Sequence, residues 1–149
     1  MARKESSVVA PADFKRDAGK RYHITEMPAA QAEEWGMRAL LALAKSGVDL
    51  PEDFMQMGLA GMAVVGVQAL SGLQFNDAKP LLDEMLACVQ AQPDARHPEV
   101  RRPLVEDDIE EVRTRLWLRQ QVLALHVDFF TDVGLLKEVR AQMGTAPTS

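Results

Sequence analysis

Residues 54–73 read FMQMGLAGMAVVGVQALSGL, twenty positions without a charged side chain in a 149-residue chain that is 26% charged. A stretch of that length can cross a bilayer, so it has to be assigned to lipid or to a protein core before the rest is read. Phe54, Leu59, Val64, Val65, Val67, Leu70 and Leu73 each contribute only about −0.3 to −0.6 kcal/mol toward insertion. Gln56, Gln68 and Ser71 cancel that gain, because an unpaired amide in hydrocarbon is expensive. The flanks carry Glu52, Asp53 and Asp77 with no basic cluster. The stretch therefore reads as a helix surrounded by protein, with apolar residues on every side rather than along one stripe. Leu59, Met62, Gly66, Leu70 and Leu73 follow one helical line. Gly58, Gly61, Val65, Gln68 and Gly72 follow a second line that is small and slightly polar, suited to close helix packing or self-association. Each helical glycine costs about 0.8 to 1 kcal/mol relative to alanine, so close packing inside the fold or between copies is expected to offset it.

The rest of the composition agrees with a helical domain around that element. Hydrophobic residues make up 47% of the chain and aromatic residues 5%, with Ala, Leu and Met dominant, which favours helices over sheets. Net charge is −5, which argues against a nucleic-acid footprint for the chain as a whole. The single Cys88 has no intramolecular disulfide partner, and the N-terminal residues lack the apolar run of a signal peptide. An intracellular, reducing setting is expected.

Working outward, residues 1–20 read as a flexible basic N-terminal arm with Arg3, Lys4, Lys15, Arg16 and Lys20. Residues 21–130 form the helical domain, and residues 131–149 a tail, partly helical or disordered. Residues 21–27 alternate in the manner of a strand after a turn at Asp17-Ala18-Gly19. Pro28 opens a first helix over 28–45 that Gly47 ends, with Trp35, Ala39 and Leu43 on one face and Glu34 spaced to pair with Arg38. A third helix is capped by Asp77, which leaves Pro80 in the first turn. The last helix spans 108–128 behind a capping box of Asp107 and Glu110, with Ile109, Val112, Leu116 and Leu123 on one stripe and Leu118, Val122, Leu125 and Phe129 on another. Glu111 is spaced to pair with Arg115. The expected fold is mainly α: about four helices, a short N-terminal strand or hairpin, and flexible termini.

Chemistry-bearing motifs are sparse. Glu106 to Glu111 is rich in oxygen ligands, but helix capping accounts for those acids more simply than a metal does. His23, His97 and His126 show no metal-ligand spacing, and the glycines at 58, 61 and 66 do not follow a strand as a phosphate loop requires. Cys88 reads as a small hydrophobe. No catalytic, cofactor or metal residue is expected, and the chain does not read as an enzyme.

Three segments carry a family resemblance: RYHITEMPAAQAEEW at 21–35, FNDAKPLLDEML at 75–86, and RPLVEDDIEEVRTRLWLRQQVLALHVDFF at 102–130. Over roughly residues 20–130 the chain resembles the phage tail assembly chaperones of siphophages and Mu-like prophages. The resemblance implies a protein of the host bacterial cytoplasm, absent from the mature virion. Such a protein binds the tape-measure protein, keeps its hydrophobic helices soluble and recruits tail-tube protein. The expected partners are those two proteins and further copies of the chain, with no nucleic acid and no membrane. Trp35, Trp117, Phe129 and Phe130 are the expected partner contacts, since large aromatic anchors dominate interface energy, although Trp35 and Trp117 suit a core equally well. Two alternatives are a minor virion component of the tail or connector, and a phage-encoded inhibitor of a host defence protein.

Overall fold

The alternation at residues 21–25 becomes the strand on which the fold is assembled. In a computed structural model that describes residues 3–47, 52–53, 56 and 59–126, β2 (Arg21–Thr25) turns Tyr22 and Ile24 into the core, at 1% and 0% exposure. β1 (Glu5–Val9) runs antiparallel to it, with Ser7 opposite His23. The loop between them closes where Ala10 donates its backbone N–H to the Lys20 carbonyl (2.9 Å) and Gly19 donates to the Ala10 carbonyl (3.0 Å). Gly19 has φ +79°, where a side chain would be strained.

β3 (Val89–Ala91) pairs with the other side of β2, and β4 (Arg102–Pro103) pairs with β3, giving an antiparallel sheet in the order β1-β2-β3-β4. The expected mainly α domain with only a short N-terminal strand or hairpin is thus corrected. Among the described residues the chain is an α+β fold in which four α-helices pack with a four-stranded sheet. β3 has three residues and β4 two, one of them proline, so neither shows a period of two along the sequence. Their pairing with β2 makes them strands. The expected flexible arm is corrected for the same reason: residues 5–9 look featureless until β2 supplies a ladder.

The helices follow the sequence more closely. α1 (Ala29–Ser46) starts after Pro28, whose carbonyl accepts from the Ala32 N–H (2.8 Å), and is followed by Gly47 at φ +72°. α2 (Leu59–Ser71) comes from the uncharged stretch. α3 (Phe75–Leu86) begins two residues before the expected Asp77 cap: the Gln74 carbonyl accepts from the N–H groups of Asp77 and Ala78, and Pro80 falls in the second turn. α4 (Val112–His126) starts later than expected. One core joins all of them: Tyr22, Ile24, Trp35, Leu43, Val67, Leu70, Leu81, Met85, Leu118 and Val122 are all buried in it. Among the described residues no helix is long and apolar enough to cross a membrane.

Of two expected ion pairs, Glu34 with Arg38 forms but is shared with a closer partner, and Glu111 with Arg115 is replaced. Arg38 holds Glu84 of α3 at 2.6 Å and Glu34 only at 3.7 Å, while Glu111 pairs with Arg16 at 2.9 Å.

Candidate functional site

The densest polar constellation fastens the β1–β2 loop to the start of α4. A helix start leaves backbone N–H groups without partners, and here a carboxylate from ninety residues away supplies them. Asp17, fully buried, accepts from the N–H of Glu110 (2.9 Å) and Glu111 (2.8 Å), from the Thr114 hydroxyl (2.6 Å) and from Lys20 Nζ (3.0 Å). Burial pushes the Asp17 carboxyl up, but the bonds from Thr114, Glu110, Lys20 and Glu111 together outweigh it and hold the group at about 2. Tyr22 donates its hydroxyl to the Asp108 carbonyl (2.7 Å), and burial pushes the pKa of that hydroxyl up. The expected capping box at Asp107 and Glu110 is therefore corrected. Asp108 receives the Val105 N–H (2.7 Å) and a two-point contact from Arg102 (2.7 and 2.9 Å). Beside this clasp, Phe14 meets Trp117 edge-on at 5.5 Å and carries the Arg113 guanidinium 4.2 Å above its ring. The cluster consumes its charges internally and is a structural joint.

The apolar line of α4 is covered at one end only. Leu123 is buried against α2 at Gly66, where a Cβ would come within 2.5 Å of Leu123 Cδ2. Val112 and Leu116, eleven and seven residues earlier on nearly the same line, are 73% and 43% exposed. This open end of a helical stripe, next to the half-buried Trp117, is accessible apolar surface, as is the side chain of Phe75, 72% exposed, at the start of α3.

The expected contact residues fall into three groups. Trp35 is 4% exposed and donates its indole N–H to the Leu81 carbonyl (3.0 Å), so of the two readings it takes the core. Trp117 is partly buried against Phe14. Phe129 and Phe130 lie outside the described residues, as does Gly58, and the surroundings of Gly61 are likewise outside them. On the second α2 line Gln68 and Gly72 are exposed and Val65 is half-buried, whereas Gly66, of the other line, makes the close approach to α4.

Two further arrangements were not legible in the sequence. A cleft of about 580 Å³ at one end of the sheet is lined by Met27, Gln31, Glu84, Cys88 and Leu104 among others. Glu84 is engaged by Arg38 there. Burial, with Glu84 nearby, pushes the Cys88 thiol up to about 11, so it is not a thiolate nucleophile at neutral pH. On the outer sheet face His23 Nδ1 lies 3.2 Å from Ser7 Oγ and His23 Nε2 lies 2.9 Å from Glu5 Oε1, with Gln92 donating to Ser7 and Arg101 to Glu5. A hydroxyl, an imidazole and a carboxylate in series is the atom order of an acyl-transfer relay. Neither Ser7 nor His23 lines this cleft or a smaller one of about 400 Å³, and cross-strand register alone brings the three together. The series reads as a tie across β1 and β2. Among the described residues no group of His, Cys, Asp and Glu is arranged to hold a metal ion.

Compared with known proteins, the chain matches no protein-family model, no curated protein and no solved structure.

Proposed function

We propose that the protein is a phage tail assembly chaperone, a non-enzymatic binder that holds hydrophobic helices of a tape-measure protein in solution and brings tail-tube protein to them in the host cytoplasm. The reading draws on the resemblance of residues 21–35, 75–86 and 102–130 to that family. The single observation in its favour is the open apolar end of α4, where Val112 and Leu116 stand one turn apart and exposed beside Trp117. An amphipathic partner helix is recognised through apolar residues at such spacing laid along a complementary stripe.

Co-expression with a tape-measure protein tests the reading. Wild-type protein should retain the tape-measure protein in the soluble fraction and be pulled down with it. Val112→Asp should keep the fold, since the residue is 73% exposed and an acid suits the first turn of a helix, but it should weaken capture. A folded wild-type protein that captures no tail protein defeats the proposal. So does its recovery in stoichiometric amount from mature virions, which would favour a structural tail component.

A further inference from the structure

The two edges of the sheet differ in what they offer another strand. β4 is two residues long, contains Pro103 and is flanked by Arg101, features that block edge-to-edge pairing. β1 is five residues long, has no proline, and bears one charge, Glu5, at its start. Its backbone directions follow from the ladder. Glu26 donates its N–H to the Lys4 carbonyl (3.0 Å) and Ala10 donates to the Lys20 carbonyl (2.9 Å). In an antiparallel pair this direction alternates, so Ser6 and Val8 bond to β2 while Glu5, Ser7 and Val9 turn their N–H and C=O groups away from it. The short Ser7–His23 side-chain contact fits, because side chains lie closer at the pairs that do not exchange backbone bonds. Among the described residues, the outward backbone groups of Glu5, Ser7 and Val9 have no backbone partner.

We propose that β1 pairs antiparallel with β1 of a second copy of this chain, joining two four-stranded sheets across a two-fold axis through Ser7. Only the register centred there engages all three outward residues of each strand. It sets Glu5 opposite Val9 of the other copy, beside that copy's exposed Arg21, the β2 neighbour of Val9. Opposite charges therefore meet on one face at both ends of the pair. A pair centred on Glu5 would instead set two carboxylates against each other. This inference is independent of the chaperone reading, and either can fail alone.

Sedimentation velocity of the full chain at micromolar concentration tests it. Wild-type protein should be dimeric. Ser7→Pro removes an outward donor while leaving the bonds of Ser6 and Val8 to β2, and should be a folded monomer by circular dichroism. Val9, 44% exposed, supplies a second and gentler test. Val9→Glu faces Glu5 of the partner copy and should raise the dimer Kd roughly fivefold, whereas Val9→Lys should hold or lower it. A monomeric wild type overturns the proposal, as does a dimer of folded Ser7→Pro with undiminished affinity. Equal shifts from the two Val9 variants would also overturn the register.

Discussion

Asp17 does at residue scale what a local cap does in most helices, and it does so from the opposite end of the chain. Its shift from 3.8 to about 2 corresponds to about 2 kcal/mol of folding free energy. The folded value is the lower one, so this contribution is complete above the unfolded value near 3.8 and is lost as pH falls toward 2. Asp17→Ala should cost about 2 to 4 kcal/mol, because it leaves the N–H groups of Glu110 and Glu111 and the Thr114 hydroxyl without their acceptor. Asp17→Asn should flatten the acid limb of a plot of melting temperature against pH, and an unchanged limb would show that the carboxylate is not the titrating group. His126 has the same sign at higher pH. Its Nε2 accepts the Met27 N–H (2.9 Å) and its Nδ1 faces the Val122 carbonyl (2.8 Å), an arrangement that needs the neutral ring. Burial lowers its value, so stability is full above the unfolded histidine value of about 6.5 and declines as pH falls below it. In His126→Gln the decline between about pH 6.5 and the carboxylate range should shrink, as urea midpoints would report.

At the scale of elements, α2 and α4 meet at Gly66 and Leu123. Gly66→Leu should lower stability by about 1 to 3 kcal/mol through overpacking, visible as an earlier thermal melt. The turn before α4 separates two neighbouring acids. Asp108 ties down Val105 and Arg102, so Asp108→Ala should cost about 1 to 3 kcal/mol, whereas exposed Asp107, engaged only through its backbone carbonyl, should change stability by less than about 0.5 kcal/mol when made alanine. Equal losses from the two variants would restore Asp107 as the cap. The tandem acids at 106–111 were legible as capping residues, but which acid serves which N–H was not, because Asp17 competes from outside the segment.

For the whole molecule, residues 3–20 are part of the fold. They supply β1, the Asp17 cap and the Phe14 ring against Trp117. Deleting residues 1–20 should abolish the cooperative melt of the remainder, whereas an arm that merely trails the domain would leave it intact. Differential scanning calorimetry distinguishes the two outcomes.

What the sequence determined by itself was local. Within the uncharged stretch residues 59–71 make a helix that packs into the core, Pro28 and Gly47 bracket α1, and residues 21–25 alternate as a strand, because periodicity and punctuation act over a few residues. The sheet was decided only by tertiary structure. Val89–Ala91 and Arg102–Pro103 are too short to carry a pattern and Glu5–Val9 (ESSVV) does not alternate, and they become strands because β2 and then β3 present unpaired backbone groups beside them. The same holds for the candidate surface. Spacing placed Val112, Leu116 and Leu123 on one stripe, but only the packing of α2 at Gly66 settled that Leu123 is covered while Val112 and Leu116 remain in solvent.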